Sequence, residues 1–127
     1  GLGGSMEYIP DSPNQYTEKM MRKRIHKLWW KLRRHKGFDI LVTHAPAYKL
    51  NDMEDLPHRG FKAFLDLMDK YHPKYFLHGH VHANYGSGFK RKDVYGTTRV
   101  INGYEFYVIE YPGEPVVPAE KTEDKNA

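Results

Sequence analysis

Two short apolar runs with a helical segment between them constrain the fold of this chain more than any other feature. Residues 38–43 (FDILVT) and 74–78 (KYFLH) have the length of β-strands, and the aliphatic first run suits a strand buried on both faces. Residues 60–72 place apolar side chains at helical spacing, and Pro73 ends that pattern. Strand, helix and strand with connections of this length form a βαβ unit with parallel, adjacent strands. The sequence therefore predicts an α/β fold.

The C-terminal part predicts a β-hairpin followed by a tail. Residues 97–101 and 104–111 flank Asn102-Gly103, a dipeptide that strongly favours the turn of a hairpin. Residues 84–93, rich in Gly, Ser and Lys, are predicted to be a loop. Residues 112–127 hold four acids and three prolines, and we expect them to form a flexible tail.

The positive charge of the chain is concentrated in residues 17–36. This segment holds nine of the 20 Lys and Arg residues but only one acid, Glu18, so the remainder of the chain is acidic. Apolar residues recur at helical spacing, Thr17 suits an N-cap and Gly37 suits a helix end, which predicts one basic amphipathic helix. We interpret the charges as a solvated outer face. The alternative is a nucleic-acid-binding module that acts through this helix.

Cysteine and long apolar segments are both absent from the sequence. The chain has no Cys, and no stretch approaches the ~20 apolar residues of a membrane span. Disulfide and thiolate chemistry are thereby excluded, and we expect a cytoplasmic protein without a membrane partner.

Histidines follow both predicted strands. His44 comes directly after the first, and His80 and His82 come directly after the second. The carboxyl ends of parallel strands are where open α/β sheets bind ligands, and imidazole is a common metal ligand. The spacing predicts a transition-metal site, with Gly79 allowing a sharp turn and a close backbone approach.

Two neighbours of this cluster could contact a substrate. His58 and Arg59 lie in the long loop after the first strand, and Arg suits bidentate contact with phosphate. The alternative is that both belong to the start of the second helix. His78 alternates with His80 along the chain, and we expect it to be buried.

The motifs around these histidines carry a family resemblance. Thr43-His44-Ala45-Pro46 followed by Gly79-His80-Val81-His82 resembles the C-terminal half of the calcineurin-like metallophosphoesterases of bacterial type. The resemblance extends over most of residues 1–111 and implies an αββα sandwich. It also implies hydrolysis of a phosphate ester, by a phosphomonoesterase or a phosphodiesterase with two divalent transition-metal ions (Mn, Fe, Zn or Co). His44 and His80 would bind one ion and His82 the other, with Asp52 or Asp55 as partners that orient them.

Three further motifs of that family are absent here. The chain contains no Asp-x-His, no Gly-Asp and no Asn-His, so the three imidazoles have no partner carboxylate in a recognisable motif. We expect residues 1–111 to be the C-terminal part of a domain whose N-terminal half is absent, and residues 1–6 to be an in-chain strand end. The chain alone then lacks a complete active site. A catalytically inactive fragment is the remaining alternative.

Overall fold

A four-stranded mixed sheet with helices on one face organises the protein. The computed structural model describes residues 1–82, 89–113 and 116. In chain order the elements are β1 (Ser5–Met6), β2 (Gln15–Tyr16), α1 (Glu18–His26), α2 (Trp29–Arg34), β3 (Ile40–Val42), a 3-10 helix (Leu56–His58), α3 (Lys62–Tyr71), β4 (Tyr75–His78), β5 (Lys92–Tyr95) and β6 (Thr98–Asn102). The sheet has the order β3-β4-β6-β5, and β1 and β2 form a separate parallel pair.

The predicted βαβ unit is confirmed. Strands β3 and β4 are adjacent and parallel, with Leu41 opposite Phe76, and α3 connects them. On the edge of β3 away from β4, Leu2 forms a parallel bridge with Thr43, and its N–H donates to the carbonyl of Val42 at 2.9 Å. The mixed α/β architecture is the one expected from the sequence.

Burial on both faces of the first strand was predicted wrongly. Leu41 is buried under the helices, but Ile40 and Val42 are 37% and 50% exposed. Successive side chains of a strand point to opposite faces, so these two residues belong to the face that turns away from α1 and α3. An aliphatic run alone does not show how many faces are covered.

The predicted hairpin is also wrong in its position. Strand β6 pairs in parallel with β4 and antiparallel with β5, and the connecting turn is Gly96-Thr97. Gly96 has φ of 58°, as the first central residue of a type II′ turn requires. Residues 104–111 contain no strand, because the chain leaves the sheet after Asn102.

The basic segment forms two helices where one was predicted. Thr17 is the N-cap of α1 as expected, and Gly37 follows α2 with a left-handed φ of 100°. Between the helices the chain forms a turn of 3-10 type, because the N–H of Leu28 donates to the carbonyl of Ile25, three residues earlier, at 2.9 Å. The two short helices together take the place of the continuous helix.

The core lies between the helices and the sheet. Buried apolar residues from α1, α3 and the central strands meet there, among them Met21, Phe64, Met68, Phe76 and Val100. Glu18 joins α1 to α3, because its carboxylate accepts hydrogen bonds from the N–H groups of Lys62 (2.6 Å) and Ala63 (3.3 Å). These N–H groups belong to the first turn of α3, which Phe61 cannot cap with its own side chain.

Two expectations fall on residues that are not described. Residues 84–88 of the predicted loop lie outside the described residues, as does the predicted tail at 112–127 except for residues 112, 113 and 116.

None of the helices in the described part of the chain combines the length and apolar character that crossing a bilayer requires.

In the loop after β3, the backbone at Gly60 passes directly against the backbone at Ala47. This close approach yields a stability prediction. A Cβ at Gly60 would lie 2.2 Å from the carbonyl carbon and oxygen of Ala47, so Gly60→Ala should destabilise the protein by about 2 kcal/mol or more. A Cβ at Gly3 meets nothing within 4 Å, so Gly3→Ala is the matched control and should change stability by less than about 0.5 kcal/mol. Urea unfolding of the two variants measures the difference, and equal stability would contradict this account of the loop.

Candidate functional site

The loops after β3 and β4 are fixed to each other by backbone hydrogen bonds. The N–H of Thr43 donates to Leu77 at 2.9 Å, and the N–H of Gly79 donates to His44 at 3.0 Å. The parallel ladder thus continues past both strands into the histidine-bearing segments. His44 and His80, each two residues beyond its strand, therefore lie at the same edge of the sheet, as predicted.

The imidazoles of His44 and His80 are in direct contact. Nε2 of His44 lies 2.9 Å from Nδ1 of His80, and Nε2 of His80 lies 2.7 Å from the carbonyl oxygen of Pro57. A carbonyl can only accept, so Nε2 of His80 carries the proton and Nδ1 presents a lone pair. This tautomer is assigned from the hydrogen bonds. His44 then donates to His80 when both rings are neutral.

The pKa of each ring is lowered, which favours the neutral form. Burial is the main cause that lowers the pKa of His44, and proximity to His82 lowers it further. For His80, burial again lowers the pKa most; the Pro57 hydrogen bond opposes this, while His44, His58 and His82 add to the lowering. A neutral imidazole keeps a lone pair available, which is the form that binds metal ions.

His80 has a backbone conformation that non-glycine residues rarely adopt. Its φ is 67°, and the N–H of Val81 donates to Gly79 at 2.8 Å, so His80 is the centre of a three-residue turn. Such a residue costs about 1–3 kcal/mol of strain. The sharp turn expected of Gly79 is made by His80, and a Cβ on Gly79 would come no closer than 3.8 Å to a residue beyond its chain neighbours.

His82 lies beside this pair but against a different neighbour. Its ring stacks on that of Tyr104, with centroids 4.7 Å apart and 27° between the planes. It is still close enough to His44 and His80 to lower the pKa of each. The structure therefore gathers all three predicted histidines at one edge.

The two predicted substrate contacts differ in position. His58 lies at the end of the 3-10 helix, with its ring centroid 4.8 Å from that of His80 and its Nδ1 2.5 Å from a carboxylate oxygen of Asp55. Arg59 instead donates from Nη2 to the carbonyl of Glu54 at 3.1 Å. His58 belongs to the histidine cluster, and Arg59 is anchored to the adjoining loop.

Asp52 and Asp55 have different partners from those expected. Asp52 accepts a hydrogen bond from the N–H of Gly60 at 2.9 Å, and Asp55 pairs with His58. The carbonyl of Pro57 orients His80 in their place. Every residue carries a carbonyl, so no signal in the sequence could have singled out this one.

Asn102, which the sequence placed in a hairpin turn, supports the second histidine loop. It is fully buried; its Nδ2 donates to the carbonyl of Val81 at 2.7 Å, and its Oδ1 accepts from the N–H of Tyr104 at 2.9 Å. The next residue, Gly103, donates its N–H to His78 at 2.7 Å. Asn102 thus fixes both the chain between His80 and His82 and the residue on which His82 stacks.

The ring nitrogens of His44 and His80 are suited to form part of a metal site. Neutral imidazole nitrogens from His44 and His80 face one another, and the second nitrogen of His80 is oriented by a carbonyl, as in many metal-binding histidines. Nevertheless, no group of three or more His, Cys, Asp or Glu side chains in the described residues is arranged to hold a metal ion. In this tautomer the Nδ1 lone pair of His80 is available, and Nε2 of His44 becomes a second donor once its proton moves to Nδ1. Further donors would be needed to complete a site.

Comparison with known proteins gives a family match. Residues 3–84 match a protein-family model described as calcineurin-like phosphoesterase. No curated protein and no solved structure matches the chain.

Removal of the Asn102 side chain should weaken the second histidine loop. Asn102→Ala leaves the Val81 carbonyl and the Tyr104 N–H without their partner, and we expect a loss of about 2–3 kcal/mol in unfolding free energy. Lys92→Ala, an exposed change in the same sheet, is the control and should stay within about 0.5 kcal/mol of the wild type. Urea unfolding tests this, and an unchanged Asn102→Ala protein would contradict the supporting role.

His78 should make stability depend on pH. Burial lowers its pKa from 6.5 to about 4, against smaller raising effects of the Gly79 carbonyl and Asp52. The unfolded chain therefore binds a proton that the folded chain does not, so this contribution is complete above pH 6.5 and is lost as the pH falls towards 4.

The pH effect can be isolated by substitution. Between about pH 7 and pH 5 the wild type should lose about 2 kcal/mol more than His78→Phe, in which this titration is absent. Urea unfolding at the two pH values gives the comparison. Equal losses in the two proteins would show that His78 does not titrate in this way.

Proposed function

Because its match to the family model covers more than half of the sequence, this chain belongs to the calcineurin-like phosphoesterase family, and we propose that it contributes histidine ligands to a dinuclear metal centre that hydrolyses a phosphate ester. Family membership supports phosphoester hydrolysis in general. The observation that carries the finer proposal is the contact between His44 and His80 at 2.9 Å, made by neutral rings at the carboxyl edge of a parallel sheet.

Each histidine has a separate role in this proposal. His44 and His80 would bind one ion through the nitrogens that now face each other, and His82 would bind the second. The Pro57 carbonyl holds the proton of His80 on Nε2, so that Nδ1 stays available as a ligand. The remaining ligands would come from an N-terminal half of the domain outside the present sequence.

The metals would supply the activation that the described side chains lack. Two divalent transition-metal ions (Mn, Fe, Zn or Co), when bound, polarise a phosphoryl group and lower the pKa of water. The neutral imidazoles leave the positive charge of the ions undiminished for a phosphate dianion or diester.

His58 and Arg59 would contact the substrate on the loop side of the cluster. The 2.5 Å pairing with Asp55 orients the His58 ring beside His80 and favours a proton on Nδ1. Arg59 is exposed and commits one nitrogen to Glu54, so its other donors can reach a phosphate oxygen.

The lack of Cys fits the reducing cytoplasm that we propose as the location.

Full-length protein that includes the upstream sequence gives the direct test. His44→Ala, His80→Ala and His82→Ala should each lower hydrolysis of p-nitrophenyl phosphate or bis-p-nitrophenyl phosphate by about 100-fold or more, with loss of bound metal by elemental analysis. The two substrates distinguish a monoesterase from a diesterase. His35→Ala changes an exposed histidine at the end of α2 and should retain both metal and activity. Full metal content and activity in the His82→Ala protein would overturn the dinuclear assignment.

A further inference from the structure

The two basic helices present positive charge that the fold leaves uncompensated. Glu18 is the only acid of residues 17–36, and its carboxylate is occupied by the first turn of α3. Arg22 pairs with Asp66, and Arg24 donates to the carbonyl of Gly3. In the described part of the chain no ion pair involves the remaining exposed cations Lys19, Lys23, Lys27, Lys31, Arg33, Arg34 and Lys36. Arg33 lies over the ring of Trp29, and the other six cations with Trp30 are called the basic face.

The residues of the basic face follow the periodicity of the helices. Lys19 and Lys23 are four residues apart and lie on one side of α1, and Lys27 continues this spacing at its C-cap. In α2, Trp30 and Arg34 are also four residues apart. Trp30 is 74% exposed, and although its ring contacts that of Trp29 edge to face at 4.4 Å between centroids, most of its aromatic surface is available to solvent.

The partner that suits this surface is a polyanion with flat, stackable groups. We propose that the basic face binds single-stranded nucleic acid, with phosphates on the lysines and arginine and a base on Trp30. Lys and Arg side chains supply the salt-dependent attraction to phosphates, and base–aromatic stacking adds contacts that tolerate any sequence.

A membrane surface fits this face less well. Helices that lie in a bilayer interface bury a continuous apolar side in the lipid. Here the apolar side of α1 and α2 points inward, since Met21 is buried and Ile25, Leu28 and Leu32 pack against the core. Trp30 and Met20 are the exposed large apolar residues of these helices, and they are ten positions apart.

The basic face begins near the histidine edge of the sheet. Glu18 contacts the N-terminus of α3, which follows the loop that carries His44 and His58. From there α1 leads to α2, and Gly37 connects α2 to the amino end of β3. A strand bound along both helices would therefore extend from the histidine edge to the opposite edge. Binding itself requires no metal and rests on no part of the proposed catalysis.

Binding of labelled oligonucleotides to the full-length protein tests the proposal. Fluorescence polarisation with oligo(dT) and oligo(U) of about 20 nucleotides should show an affinity that falls steeply with salt. Lys27→Glu combined with Lys31→Glu should weaken binding about tenfold or more and reduce the salt slope by about 1.4, because each phosphate contact with a single strand contributes ~0.7. These two lysines are preferred to Arg22 and Arg24, whose side chains make contacts within the fold.

A matched variant controls for net charge. Lys74→Glu combined with Lys92→Glu changes the charge equally at exposed lysines of the sheet region and should bind almost as the wild type does. Trp30→Ala should lose about tenfold in affinity with an unchanged salt slope, and Trp30→Phe should recover most of the loss. Circular dichroism checks that each variant is folded.

Three results would overturn the proposal. One is undiminished binding by the Lys27/Lys31 variant. Another is an equal loss in the Lys74/Lys92 control, which would indicate an effect of net charge alone. The third is binding to phosphatidylserine vesicles without binding to either oligonucleotide, which would assign the basic face to a membrane surface. None of these outcomes depends on whether the protein hydrolyses phosphate esters.

Discussion

The parallel pairing of β3 and β4, continued past both strands, is the interaction on which the rest of the site depends. A parallel ladder aligns the carboxyl ends of neighbouring strands. Here the bonds from Thr43 to Leu77 and from Gly79 to His44 extend that alignment into the two loops. A shift of register by one residue would turn every side chain of β4 to the opposite face and would separate His80 from His44. The core packing of Leu41 and Phe76 against the helices opposes such a shift, so hydrophobic burial helps to set the geometry of polar groups at the edge.

Surrounding contacts hold the second loop in a conformation that it would not adopt alone. His80 has a left-handed backbone, and strain of this kind persists only where neighbouring structure imposes it. Pro57 holds the ring, while Asn102 holds the backbone at Val81. The three contributions come from segments far apart in sequence. Strain at this residue, in the middle of a histidine cluster, is what a site arranged for binding is expected to show.

Local patterns in the sequence were sufficient for part of this structure. The strand–helix–strand order, the Thr17 cap and the positions of His44, His80 and His82 all follow from spacing between neighbours along the chain. The Asn102-Gly103 pair shows where such reasoning fails, because the hairpin turn is at Gly96-Thr97 instead. Which of them forms the hairpin depends on the pairing of β6 with β4, and Asn102 is instead used to bond Val81. The Pro57 carbonyl and the exposed side of β3 depend in the same way on distant partners, so local patterns could not indicate them.

The histidine edge and the basic face differ in charge, partly because burial favours the neutral form of a titratable side chain. Partial burial lowers the pKa of His44 and of His80 and thereby favours their neutral forms, although an unperturbed imidazole is often protonated near pH 6.5. The lysines of α1 and α2 are exposed to solvent, and among residues 1–82, 89–113 and 116 none of them forms an ion pair. Glu18 connects the two regions, since the carboxylate that could offset those lysines caps α3 at the histidine side of the sheet. Helix capping thus commits the one carboxylate of residues 17–36 to the first turn of α3. The basic character of this surface follows from composition, because nine cations outnumber this single acid.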